Sequence, residues 1–183
     1  MHVIRLALRS TGDDLGNDTE VKFPVLQGGI LISFDRAVAP ESMSQPTCFL
    51  TLELPFPLSP PDLQAWPNVG PVGFEPMIVT AEVRRFGVRK GDMLWFPAGT
   101  LTGLLQQVFG HLAEQKRELR VLARLTLKGG FIWSLDDPPV FLDGDTFGAP
   151  GNGTTDLLPF RDGSLSGDGR RGGDFEMWFW LVP

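Results

Sequence analysis

Cysteine, histidine and tyrosine are scarce in this chain of 183 residues, which has one cysteine, two histidines and no tyrosine. The lone Cys48 excludes an intrachain disulfide and any zinc site built from several cysteines. The two histidines, His2 and His111, restrict the ways in which a nucleophile could be paired with a base. No Gly-x-Ser-x-Gly motif occurs. We therefore expect a protein that is not an enzyme and that carries no obligatory cofactor.

Basic residues are also few, because 16 Lys and Arg stand against 22 Asp and Glu and give a net charge of −6. Binding to nucleic acid requires clustered positive charge, so nucleic acid is not an expected partner. The apolar runs are shorter than the roughly 20 residues that cross a bilayer. The first residues lack the pattern of a secretory signal peptide. We expect no membrane insertion and a cytoplasmic location.

Glycine and proline are abundant, at 22 and 16 residues, and they separate short segments in which apolar and polar residues alternate. Such alternation with frequent turn residues predicts β-strands. We predict strands at 3–9, 29–35, 47–54, 77–86, 93–96, 119–127, 140–142 and 174–182. Since no helices alternate with these strands, the sequence predicts a mainly β fold, a single antiparallel β-sandwich domain spanning residues 1–183.

Two segments interrupt this pattern. The spacing of Leu101, Leu105, Val108 and Leu112 predicts one amphipathic helix at about 100–115, with Thr100 as its N-cap. Residues 55–76 are so rich in proline that a central strand is not expected there. This segment is predicted to be a long loop, and its apolar residues, which include Trp66 and Phe74, indicate that it packs against something.

Residues 29–54 show a pattern shared with a known class of domain. An apolar strand runs through Ile30, Ile32 and Phe34, a bend containing Val38 follows, and a second strand begins near Phe49. This pattern resembles the start of bacterial Ig-like domains. The resemblance implies an Ig-like sandwich and a role in binding or spacing other proteins. The proline-rich segment and the helix depart from that family, and the tail resembles uncharacterised bacterial proteins.

Aspartates are concentrated in the last third of the chain, where residues 143–173 are rich in Gly and Asp and are predicted to be loops. Carboxylate oxygens are the ligands that Ca²⁺ prefers, so Asp143 and Asp145 are candidate metal ligands. The EF-hand pattern fails, however, because Phe147 and Thr154 stand where ligands are needed. The alternative is that these aspartates stabilise turns through their own backbone.

The predicted last strand is apolar on both sides. Phe175, Met177 and Phe179 lie on one side, while Trp178 and Trp180 lie on the other. Either the helix or the proline-rich segment covers the two tryptophans, or they form a platform for a protein or a sugar.

The absence of a catalytic set and the apolar last strand together favour a non-enzymatic interaction or structural module, a subunit of a larger bacterial assembly. Its partners are expected to be other proteins or a second copy of the chain. The expected interaction residues are Trp66, Phe74, Trp178 and Trp180. The alternative is a carbohydrate-binding module, with Ca²⁺ assisting through the aspartate-rich loops.

Overall fold

The computed structural model describes residues 1–56, 73–99, 101–114, 119–144, 166–167 and 172–183. Within these residues the fold is mainly β and contains two sheets. The helical segments are α1 (Phe23–Leu26) and α2 (Leu101–Glu114). The strands are β1 (Val3–Leu8), β2 (Thr19–Lys22), β3 (Ile30–Phe34), β4 (Cys48–Phe56), β5 (Gly73–Val79), β6 (Ala81–Arg85), β7 (Asp92–Pro97), β8 (Val121–Leu127) and β9 (Phe175–Val182).

The strand order is β1-β3-β7-β6 in the four-stranded sheet and β2-β9-β8-β4-β5 in the five-stranded sheet. Neighbouring strands are antiparallel except β2 and β9, which are parallel, with Thr19 opposite Phe179. The prediction of a wholly antiparallel fold is therefore wrong at this pairing. It failed because no strand was predicted between residues 9 and 29. The four residues of β2, of which only Val21 is buried, are too few to show an alternating pattern.

The two sheets share one hydrophobic core. Along β9 every second residue, from Phe175 to Leu181, is buried, as the alternation predicted. The four-stranded sheet contributes Ile32 and Trp95 to the same cluster. Cys48 lies in this core, where burial raises the pKa of its thiol because the thiolate would lose its hydration. Cys48 is therefore a small core residue.

The helix α2 confirms the helix predicted at 100–115. Its apolar stripe is buried in the shared core, whereas Gln106, Gln107 and His111 are exposed. This docking compensates for Gly103 and Gly110, each of which lowers helix stability by about 1 kcal/mol relative to alanine. The proposed cap Thr100 lies outside the described residues. No helix within the described ranges is both long and apolar enough to span a membrane.

The strands β4 and β5 extend into both ends of the segment that was predicted to be a loop. Pro55 is paired with Phe74 of β5, but the pairing of β4 with β8 ends at Glu53. Pro55 thus stands where β4 has one neighbour, and the missing N–H does not interrupt a central ladder. Residues 57–72, which include Trp66, lie outside the described part of the chain.

The predicted strand at 77–86 is in fact two strands that belong to different sheets. β5 ends at Val79 and β6 begins at Ala81, so Thr80 is the single residue between these two strands, which belong to different sheets. Val79 and Ala81 are both buried, whereas Thr80 is exposed. The alternation of inward and outward residues continues through the junction, which explains why the sequence pattern does not reveal it.

Candidate functional site

The outer side of the five-stranded sheet brings aromatic and charged side chains together. Inward residues of β4, β8 and β9 fill the core, so the intervening residues of each strand point outward. We call this surface the tryptophan face. Its members are Glu20, Lys22, Phe49, Thr51, Glu53, Ile78, Arg120, Leu122, Arg124, Thr126, Glu176, Trp178, Trp180 and Val182.

Trp178 and Trp180 lie side by side on β9, the second of the five strands. Their rings meet edge to face, with centroids 6.1 Å apart and an angle of 84° between the planes. The guanidinium of Arg120 lies 4.1 Å from the centroid of the Trp180 ring, a distance at which the cation is attracted to the ring face. Both indoles remain half-buried.

The segment before β2 fixes the orientation of Trp180. The indole N–H of Trp180 donates to Oδ1 of Asp18 at 2.8 Å. Asp18 has a positive φ of 64°, a left-handed conformation that aspartate tolerates better than most residues. Its own N–H donates to the carbonyl of Trp178 at 3.3 Å, and Asn17 Oδ1 accepts from the Trp178 N–H at 3.2 Å. Trp180 is therefore held from its ring face and from its polar edge.

A small ion network occupies the centre of the tryptophan face. Arg124 stands opposite Trp178 in the register. Its guanidinium lies 2.9 Å from Glu53 and 3.9 Å from Glu176. All three side chains remain partly exposed, so each pair contributes little to stability. Their effect is to fix the positions of one positive and two negative groups beside the indoles.

The structure brings together two of the four predicted interaction residues. Trp178 and Trp180 are neighbours. The apolar side of α2 does not cover them, because it packs into the core between the sheets. Phe74 lies in β5, at the opposite edge of the sheet from β2. Trp66 lies outside the described residues. Ile78, also on β5, is 59% exposed.

The predicted metal ligands are placed only in part, since Asp145 lies outside the described residues. Asp143 is buried, its N–H donates to the carbonyl of Met1, and its carbonyl accepts from the Ser166 hydroxyl. Its carboxylate fills the space that a Cβ on Gly167 would need. No group of three or more His, Cys, Asp or Glu suited to a metal ion occurs in the described part of the chain.

A second apolar patch follows β8 and was missed by the sequence reasoning. Phe131 is 64% exposed and Leu135 47% exposed, with the half-buried Trp133 between them, whereas Ile132 and Ser134 are buried. The period-two spacing of these three apolar residues was the available signal. It was overlooked because Gly129 and Gly130, just before, indicated a turn.

Backbone hydrogen bonds hold this patch rigidly. Trp133 accepts from Ala39, Leu135 donates to Ala37, and Ser134 donates to Val140. The segment is thus paired on both sides, so its exposed side chains project from fixed backbone positions.

A cavity of about 150 Å³ opens between α1 and the start of α2. It is smaller than the 300–1,000 Å³ typical of small-molecule sites. Its lining has no carboxylate, histidine or cysteine and consists of Phe23, Gln27, Pro97, Ala98, Gly99 and Leu101. The tryptophan face is therefore the stronger candidate site among the described residues. No protein-family model, curated protein or solved structure matches this chain.

Proposed function

We propose that this chain is a non-enzymatic interaction module that binds another protein through the tryptophan face. The observation that carries the proposal is the fixed orientation of Trp180, which Arg120 holds from the ring face and Asp18 from the indole N–H. Tryptophan and arginine supply much of the binding energy in protein interfaces. A side chain already held in one rotamer loses less entropy on binding.

The arrangement of the two indoles favours a protein partner over a sugar. A sugar ring stacks on an open, flat aromatic face, but Arg120 occupies one face of Trp180 and the two indoles are nearly perpendicular. Edge-to-face rings interleaved with charged side chains are instead suited to the mixed surface of another protein. Carbohydrate binding with Ca²⁺ remains the alternative function that the experiment below also tests.

We further propose that the domain is an Ig-like sandwich. The strand order supports this, because β1, β3, β7 and β6 occupy the places of strands A, B, E and D. In the other sheet, β9, β8, β4 and β5 correspond to strands G, F, C and C′. Ig-like folds serve many functions, so the proposed role rests on the tryptophan face and not on the fold.

Affinity capture from the native extract tests the proposed function and its wider form, a subunit of a larger bacterial assembly. The baits are the wild-type chain, Trp178→Ala on the tryptophan face and Phe96→Ala as the control on the outer side of the other sheet. Each variant is first checked by thermal unfolding. We expect a stoichiometric protein that Phe96→Ala retains and Trp178→Ala loses, in buffers with EDTA and with Ca²⁺ alike.

Other outcomes would contradict the proposal in distinguishable ways. Equal capture by both variants would show that the tryptophan face is not the binding surface. Retention of glycans in the Ca²⁺ buffer only, without a protein partner, would favour the carbohydrate-binding alternative.

A further inference from the structure

Resting on the proposed function, we propose that the tryptophan face binds a second copy of this chain. The two copies would pack with their tryptophan faces against each other. A twofold axis would lie between the two facing five-stranded sheets, one from each copy, and would run perpendicular to the strands, close to Trp178 and Trp180. Charge is distributed unevenly along the strands of this face, and this distribution selects the axis.

The register divides the face into four rows that run across the strands. At one end is a basic row with Lys22 beside Val182, followed by Arg120, which precedes β8. At the other end is an acidic row with Glu176 opposite Thr126. The tryptophan face therefore changes from positive to negative along its strands.

The two middle rows carry the aromatic residues. In one row Trp180 lies between Glu20 and Leu122, with Glu53 next along. In the other row Trp178 lies beside Arg124. Asp18 adjoins Trp178 and faces the Trp180 indole. The Trp180 row thus has a glutamate on either side of Trp180 and Leu122, whereas the Trp178 row has Arg124 at its centre and Asp18 at its β2 end.

This charge gradient selects one symmetry. A twofold axis running along the strands would place each row against itself, so the basic row would meet a basic row. An axis running across the strands reverses the order of rows, so Arg120 and Lys22 face the acidic row that contains the partner's Glu176. It also sets the Trp180 row against the Trp178 row, so that the partner's Arg124 faces Leu122 and lies close to Glu53, whereas Glu20 faces the partner's Asp18. Homodimer interfaces of this kind must be self-complementary.

The same axis passes between the two aromatic rows, so the tryptophans of β9 lie beside it. Because strand order is preserved across the axis, Trp178 faces the partner's Trp180. Aromatic residues surrounded by polar and charged groups match the usual anatomy of protein interfaces. Two sheets that pack face to face usually keep their strand directions within about 30° of each other. The proposed axis meets this condition, because it makes the strands of the two copies run antiparallel.

The area of the face indicates a transient dimer. Five strands about 4.8 Å apart and about seven residues long give a face of about 24 by 23 Å, or about 550 Å² per chain. Two such faces bury about 1,100 Å², which is at the lower end for specific interfaces. We therefore expect dissociation constants in the range of about 1 µM to 1 mM.

Sedimentation equilibrium of the full chain across that concentration range tests the inference. We expect the wild type to dimerise, and we expect Arg120→Glu and Glu176→Arg each to weaken dimerisation about tenfold or more, since each places like charges against each other. An equimolar mixture of the two variants should associate again, because the reversed charges are then complementary. Arg84→Glu, on the outer side of the four-stranded sheet, should dimerise like the wild type.

The mixing step protects the test against misfolding, because a variant that failed to fold could not be rescued. Lys22→Glu provides a second variant in the basic row that leaves the Arg120–Trp180 contact unchanged. A wild type that stays monomeric would overturn the inference, and the proposed function would still hold if Trp178→Ala abolished capture of a different protein. A wild-type dimer that neither charge reversal weakens would show that another surface forms it.

Discussion

Both sheets have an arginine over an aromatic ring on their outer sides, but the leucine near each pair is buried to a different extent. On the four-stranded sheet, Arg84 lies 4.7 Å from the Phe96 ring. Leu94, on the outer side of β7, is fully buried although it does not belong to the core between the sheets. On the five-stranded sheet, Arg120 lies 4.1 Å from the Trp180 ring, yet Leu122 beside it remains half-buried. Arginine over an aromatic ring thus accompanies full burial of Leu94 on one side and partial burial of Leu122 on the other.

This difference indicates which side is available to a partner. Arg9 lies over Phe86 on the four-stranded sheet, so that face carries two arginine–phenylalanine contacts. It buries Leu94 fully and leaves Leu31, the residue opposite Leu94, half-buried. The tryptophan face keeps apolar surface in contact with water, including Ile78, which is 59% exposed. Incomplete coverage of a regular sheet face is typical of a binding surface.

Truncation of a matched leucine on each face should give the largest difference. Leu94→Ala should lower the free energy of unfolding by about 2–5 kcal/mol, because it removes a fully buried side chain and leaves a cavity. Leu122→Ala should cost only about 1 kcal/mol, since that side chain is half-buried. Urea unfolding of both variants measures this, and equal losses would show that the two faces are equally covered.

Asp18 is the next position that distinguishes the faces, because the phenylalanines of the four-stranded sheet have no polar group to be held in this way. Asp18→Ala should lower the free energy of unfolding by about 1–2 kcal/mol, since alanine disfavours a positive φ and cannot accept from the Trp180 indole. Asp18→Gly loses the hydrogen bond but permits the backbone, so it should cost less. Thermal unfolding of the two variants separates the contributions, and equal losses would mean that the backbone conformation contributes nothing.

Removing one arginine from each face should have a smaller effect. Arg120→Ala should cost about 0.5–1 kcal/mol and should change the tryptophan emission, because it exposes one face of the Trp180 ring. Arg84→Ala should cost a similar amount and leave the emission unchanged, since its ring partner is Phe96. Fluorescence and urea unfolding together measure both, and identical emission changes in the two variants would contradict the assignment.

A pH titration provides a reference outside both faces. Hydrogen bonds from Arg36 and Ser134 lower the pKa of Asp136 from its usual range. The folded state therefore binds this proton less tightly than the unfolded state. Its stabilising contribution is complete above the ordinary aspartate pKa of about 3.9 and is lost as the pH falls through the lower, folded pKa. Asp136→Asn should remove this small acid-dependent loss, and a superimposable stability profile for wild type and variant would contradict it.

Much of the fold could be predicted from the sequence because alternation reports burial directly. The strand at 174–182 and the helix at 100–115 were found because their apolar periods extend over enough residues. β2 was not found, since its strand identity depends on parallel pairing with β9, more than 150 residues away in the chain. The change of sheet at Thr80 could not be predicted, because Val79 and Ala81 are buried and Thr80 is exposed, so the alternation continues without interruption.

The candidate site was predictable in its composition but not in its geometry. The alternation placed Trp178 and Trp180 on one side of a strand, as the structure has them. The contributions of Asp18 and Arg120 could not be inferred, because they come from a loop and a strand end that only the fold brings to the indole. The Phe131–Leu135 patch shows the converse error, in which a turn signal concealed an alternating segment.

The single-residue junction at Thr80 makes the chain sensitive to length at this point. Because Val79 and Ala81 must both face inward, one inserted residue after Thr80 would reverse the phase of β6. Glu82 and Arg84 would then turn toward the core, and Ala81 and Val83 toward water. Two inserted residues would restore the phase. Insertions of an even number of residues should therefore be tolerated better here than insertions of an odd number.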